Sequence, residues 1–148
     1  MKIALVDDNA LNRNAFIQKM QPFKDLELSI ISSSGDAFLD KIRGLPLNQL
    51  PEITFMDIQM PGLSGVETIL LGKAIAPSII FIVLTIFEDD ETIFEAIKAG
   101  ASGYLLKHES HQKIYDSIQE VTEFGGAPMS PAISRKTLKL LGSKSRDG

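Results

Sequence analysis

Five residues of this chain could do chemistry together: Asp7, Asp8, Asp57, Thr85 and Lys107. Each follows or closes a short apolar run, namely Ile3-Ala-Leu-Val6, Ile53-Thr-Phe-Met56, Ile79-Ile-Phe-Ile-Val-Leu84 and Gly103-Tyr-Leu-Leu106. Side by side, these runs would bring three carboxylates, a hydroxyl and an ammonium to one edge. Two like charges about 4 Å apart repel by roughly 4 kcal/mol at an intermediate dielectric. Such a cluster raises carboxyl pKa values or recruits a cation. Oxygen-only donors favour a hard ion, Mg²⁺ above all. A carboxylate flanked by a divalent cation, an ammonium and a hydroxyl is arranged to accept a phosphoryl group, because charge neutralisation and positioning do most of that work. Asp57 is the nucleophile candidate. It ends the third of five runs and leads into Met60-Pro-Gly-Leu-Ser-Gly65, a loop that leaves its face open. Asp7 and Asp8 would serve the metal.

The elements that must position these residues are legible as an alternation. The continuous apolar runs suit strands buried on both faces of a parallel sheet. Leu26 to Ile31 is a further strand. Between them lie helical stripes: Leu11, Ala15, Phe16 and Met20, stopped by Pro22; Ala37, Phe38, Leu39 and Ile42, ended by Gly44 and Pro46; and Val66 to Ala76, weakened by Gly72. Glu88 to Ala99 follows with an acidic first turn that favours its dipole, and a helix from Ser110 turns Ile114, Ile118 and Val121 inward. Five strands alternating with five helices predict a doubly wound α/β domain with a parallel sheet, whose ligands gather at the carboxyl ends of the strands.

Gly125-Gly-Ala-Pro128 punctuates the chain. Ser130 is the expected N-cap, and Pro131 the first residue, of one more helix with Ile133, Thr137, Leu140 and Leu141 on its apolar side. From Gly142 onward the Ser/Lys/Arg/Asp/Gly run predicts a flexible end. The division is therefore residues 1–127 as the domain and 128–148 as a basic linker helix. Residues 129–148 hold five basic residues and one acid, a net of +4, which leaves −8 on residues 1–128 and −4 on the whole. An acidic body disfavours nucleic-acid binding, which rests on Lys and Arg neutralising phosphates. The absence of cysteine excludes disulfides and thiolate chemistry and suits a cytoplasmic address. No apolar run is long enough for a membrane span.

The set Asp7-Asp8, Met56-Asp-Ile-Gln-Met-Pro-Gly-Leu-Ser-Gly65, Leu84-Thr85 and Gly103-Tyr-Leu-Leu-Lys107 resembles the receiver domain of bacterial two-component response regulators, over residues 1–127. Ala99-Gly-Ala-Ser-Gly-Tyr-Leu-Leu-Lys107, with Gly125-Gly126 and Met129-Ser-Pro131, is similar to the NarL/LuxR-type subfamily. The resemblance implies a flavodoxin-like (βα)5 fold with strand order 2-1-3-4-5. It implies Asp57 as phosphoacceptor from a sensor histidine kinase, with Asp7, Asp8, Asp57 and the backbone carbonyl of Gln59 ligating Mg²⁺. Thr85 and Lys107 would bind the phosphoryl oxygens, and Tyr104 would be the switch aromatic that turns inward as Thr85 moves. Gln59 and Phe87 would tune the phosphoryl lifetime, with a bulky Phe87 shielding against water. His108 stands where many receivers carry a proline. The chain would catalyse only its own phosphotransfer and hydrolysis. Phosphorylation would favour a homodimer and, through a C-terminal DNA-binding domain for which no pattern fits after Leu141, control of transcription.

Simpler readings stand beside these. Asp7 and Asp8 alone suit helix capping. His108 and His111 suit solvent exposure rather than a metal site. Glu88 to Glu91 suit a helix start, though the face around the fourth helix and fifth strand is often the output surface in that family. An aspartyl phosphatase would want an acid two residues after its nucleophile, where this chain has Gln59. A flavodoxin-like cofactor carrier would want a Gly/Ser/Thr loop after the first strand, where this chain has Asp7-Asp8-Asn9. The alternative function is a stand-alone receiver or a phosphorylation-independent interaction module.

Overall fold

The computed structural model describes residues 1–147. Five strands, β1 (Lys2–Val6), β2 (Glu27–Ser32), β3 (Ile53–Met56), β4 (Ile80–Thr85) and β5 (Gly103–Leu106), pair in parallel in the order β2-β1-β3-β4-β5. The expected sheet and strand order are therefore observed. All residues of β3 and β5 are buried, Thr54 among them, as in a parallel sheet covered by helices on both faces.

Six helices, α1 (Ala10–Met20), α2 (Gly35–Arg43), α3 (Gly65–Ile75), α4 (Asp90–Ala99), α5 (His111–Phe124) and α6 (Pro131–Asp147), complete the chain, with a 3₁₀ turn at Leu47–Gln49. The sheet divides the core in two. On one face β-strand residues such as Leu5, Phe55 and Leu105 pack with Phe16 and Met20 of α1 and with Ile114, Ile118 and Val121 of α5. On the other, Val6, Met56 and Val83 pack with α2, α3 and α4. Local sequence starts the first five helices, whereas the side chain of Ser130, the expected cap of α6, accepts the N–H of Leu106 instead. Asn9, Ser34, Ser64, Asp89 and Ser110 each accept a backbone N–H from the first turn, and Ser64 with Glu67 forms a full capping box.

Four expectations change. Leu11 is exposed, as is Ala15. The Asn9 cap fixes the phase of α1 so that Phe16 and Met20 face inward; Leu11, five residues before Phe16, lies roughly 140° around the helix. The cap of α4 is Asp89, so Glu88 lies outside the helix, and the acidic first turn is Asp90 and Glu91. Gly72 does not interrupt α3, and its missing side chain serves packing: a Cβ there would come within 2.7 Å of the Phe81 ring of β4. Finally, α6 runs past Gly142 to Asp147, because one interior glycine costs a helix only about 1 kcal/mol. The predicted loose end at Gly148 lies outside the described residues. No cis peptide bond occurs among the described residues, so Lys107–His108 is trans. No helix among them is long and apolar enough to cross a membrane.

Gly65 ties the fold to the Asp57 strand end. Its N–H donates to the Ile58 carbonyl at 2.7 Å, and a Cβ would overlap the carbonyl of Asp57. Gly65→Ala is expected to cost about 1–3 kcal/mol through forced backbone displacement. A thermal melt should show a midpoint several degrees lower.

Candidate functional site

Sheet hydrogen bonding continues one residue beyond the strands and builds the site. The N–H of Asp57 donates to the Val6 carbonyl at 3.0 Å, and that of Asp7 to Ser32 at 3.1 Å. The N–H of Lys107 donates to the Thr85 carbonyl at 2.9 Å. The ladder thus carries Asp7, Asp57, Thr85 and Lys107 to one edge. This is the consequence of parallel register, in which every strand ends on the same side.

The centre is the Lys107 ammonium. Its Nζ lies 2.8 Å from Asp7 Oδ2 and 3.0 Å from Asp57 Oδ2. The other oxygen of each carboxylate is held by the backbone. Asp7 Oδ1 accepts the N–H of Asn9 at 2.9 Å, and Asp57 Oδ1 accepts that of Ile58 at 2.8 Å. Asp7 and Asp57 are buried, whereas Asp8 is exposed at the rim. Oxygens of all three lie within 4.8 Å of one another.

Burial pushes the Asp57 carboxyl above the ordinary range. Lys107 opposes this, Asp7 reinforces it, and the Thr85 hydroxyl again opposes it. Burial alone would lower the Lys107 pKa, but its bonds to Asp7 and Asp57 prevail and raise it. Counted formally, three carboxylates and one ammonium sum to a surplus of two negative charges. That balance and an all-oxygen donor set fit a divalent hard cation.

The remaining predicted residues surround this centre. Thr85 is fully buried, and its Oγ1 accepts a long bond, 3.5 Å, from the N–H of Phe87. Gln59 is exposed two residues beyond Asp57, and Phe87 is half-buried two residues beyond Thr85. Tyr104 is fully buried in the inward position, and its hydroxyl donates to the Phe87 carbonyl at 2.6 Å. His108 and His111 are exposed, as expected. Two residues on α1 were not anticipated. Arg13 donates from Nη1 to the Asp7 carbonyl at 3.0 Å, and Lys19 Nζ reaches the carbonyls of Lys107 and Glu109 at 3.4 Å each. Six residues apart on α1, they lie roughly 120° from each other around the helix, so no helical periodicity in the sequence marks them as a pair.

Comparison with known proteins agrees with this architecture. A family model described as the response regulator receiver domain matches residues 3–119. The transcriptional regulatory protein LnrK of Bacillus subtilis is 33% identical over 138 residues, which cover 93% of this chain and 60% of that protein. This chain therefore spans less than two thirds of that relative's length. A LuxR-family two-component response regulator from Aurantimonas sp. superimposes with a TM-score of 0.83 at 22% identity, covering 93% of this chain and 95% of the other. The isolated receiver domain of RcsB from Salmonella enterica, solved with phosphomimetic BeF3−, gives 0.79 at 17% identity, covering 92% and 97%.

A raised folded pKa means that ionising Asp57 costs stability. Its favourable contribution is present below the usual carboxylate range and is lost as pH rises through the raised value. Without divalent cations, Asp57→Asn should therefore melt above wild type at neutral pH, with the gap closing in acid. Adding Mg²⁺ should raise the wild-type midpoint more than the variant's.

Proposed function

The chain belongs to the family of response regulator receiver domains, and from that premise we propose that Asp57 accepts a phosphoryl group from a sensor histidine kinase in a Mg²⁺-dependent reaction. The observation that carries the proposal is the Lys107 ammonium held between Asp7 and Asp57. An Asp57 oxygen attacks phosphorus. The bond from phosphorus to the donor nitrogen breaks, and its electron pair stays on the departing imidazole. Lys107 and the Thr85 hydroxyl neutralise and orient the phosphoryl oxygens. Asp7, Asp8, Asp57 and the Gln59 carbonyl would hold Mg²⁺, which would supply charge neutralisation at those same oxygens. Turnover is confined to this chain's own phosphotransfer and hydrolysis.

The output reading follows from the relatives. LnrK is described as a transcriptional regulatory protein, and the Aurantimonas structure as a LuxR-family regulator. We assign this chain to the NarL/LuxR-type subfamily. Where such a chain is joined to a DNA-binding domain, phosphorylation would favour a homodimer that controls transcription through that domain, in the cytoplasm. Residues 1–127 would form the receiver proper. Tyr104 and Thr85 supply the two-state element, since the ring is buried and its hydroxyl is tied to the loop that follows Thr85.

Incubation with acetyl phosphate and Mg²⁺, read by intact mass, should add one phosphoryl group to wild type and none to Asp57→Ala. No gain in wild type would favour a phosphorylation-independent interaction module, and a gain unaffected by the substitution would exclude Asp57 as acceptor. Phe87 and Gln59 are assigned to lifetime. Phe87→Ala should shorten the phosphoryl half-life by admitting water, measured as decay of the modified mass after the donor is removed.

A further inference from the structure

The segment after Pro128 is built into the sheet. The Tyr104 N–H donates to the Pro128 carbonyl at 2.9 Å, and the Tyr104 carbonyl accepts from the Ser130 N–H at 3.1 Å. Met129 thereby forms a parallel bridge with Tyr104. Ser130 Oγ accepts the N–H of Leu106 at 2.9 Å, and Ser130 is itself buried. One turn on, Ile133 is fully buried in the same apolar cluster as Tyr104 and as Ile93 and Ala96 of α4. Lys136 pairs with Asp90 of α4 at 3.6 Å. A passive tether would leave the outer edge of β5 bare and would contribute nothing to the core.

Tyr104 is therefore clamped from two directions. Its backbone is held by Pro128 and Ser130. Its hydroxyl is held by the Phe87 carbonyl, and the Phe87 N–H in turn reaches Thr85 Oγ1. The Thr85 carbonyl accepts the Lys107 N–H at 2.9 Å, and the Lys107 ammonium lies 3.0 Å from Asp57 Oδ2. A continuous path of contacts joins the reacting end of the sheet to α6.

We propose that residues 128–136 are a positioning element of the phosphoacceptor switch, holding Tyr104 inward and so holding Thr85 toward Asp57. This rests on the reading of Asp57 as phosphoacceptor. Docking of α6 and phosphorylation then stabilise the same conformation, and linkage makes the effect reciprocal: each strengthens the other by the same factor.

The test uses the full chain with acetyl phosphate and Mg²⁺. Hydrogen exchange across residues 131–142 is measured with and without phosphorylation, and the phosphorylated fraction at fixed donor is read by intact mass. Phosphorylation should slow exchange in α6. Ile133→Ala should reduce the ratio of phosphorylated to unmodified protein by roughly fivefold or more, the lower bound of ordinary coupling. Ile133→Val should restore most of it. Lys136→Glu, a surface change that sets an acid against Asp90, should lower the ratio in the same direction by a smaller factor, without threatening the fold. If wild type gains no phosphoryl group, the functional reading itself fails. If wild type is phosphorylated while α6 exchange is unchanged and Lys136→Glu leaves the ratio untouched, the positioning role is overturned and the acceptor role stands.

Discussion

The ammonium of Lys107 between the carboxylates of Asp7 and Asp57 is the contact on which the rest of the structure depends. Neither acid is well solvated, and together they would repel. A half-buried cation placed between them makes the arrangement tolerable. The fold serves that contact. The three residues come from the first, third and fifth strands, and only a parallel sheet with β1, β3, β4 and β5 adjacent brings those ends together. The backbone fixes the geometry from behind, because each acid spends its second oxygen on a neighbouring N–H. One positive charge against three carboxylates leaves an electrostatic demand that a divalent cation could meet.

Most of this was legible in the sequence because parallel strands write plainly. Ile3-Ala-Leu-Val6 and Ile79-Ile-Phe-Ile-Val-Leu84 are apolar without interruption, and a polar residue directly after such a run marks its carboxyl end. The order of the strands was less direct. Periodicity yields a doubly wound sheet, but the 2-1-3-4-5 order came from the motif resemblance. Thr85 and Lys107 were placed by the same logic as the acids, and the ladder bond between them shows why it worked.

What the sequence did not disclose concerns helix phase and tertiary contact. Leu11 looked like part of an inward stripe, yet the Asn9 cap rotates it outward. Gly72 looked like a weakness, yet its missing side chain is where Phe81 fits. The basic tail looked like a solvated linker. Ile133 is buried as the apolar side of that helix implied, while Leu141 on the same expected side is exposed; that Ser130 caps the β5 edge and Lys136 meets the acidic start of α4 is a tertiary matter no local pattern reveals. Charge complementarity between the −8 body and the +4 tail was visible in the composition, but only the structure gives it a location.

The central claim is that one carboxylate, at Asp57, is the acceptor. Borohydride reduces an acyl phosphate on aspartate to an alcohol and leaves free carboxylates alone, so it marks the acceptor chemically in the unaltered protein. Protein treated with acetyl phosphate and Mg²⁺, reduced with borohydride and mapped by peptide mass should carry homoserine at position 57 and at no other aspartate. Homoserine at position 7 or 8, or its absence throughout, would contradict the account.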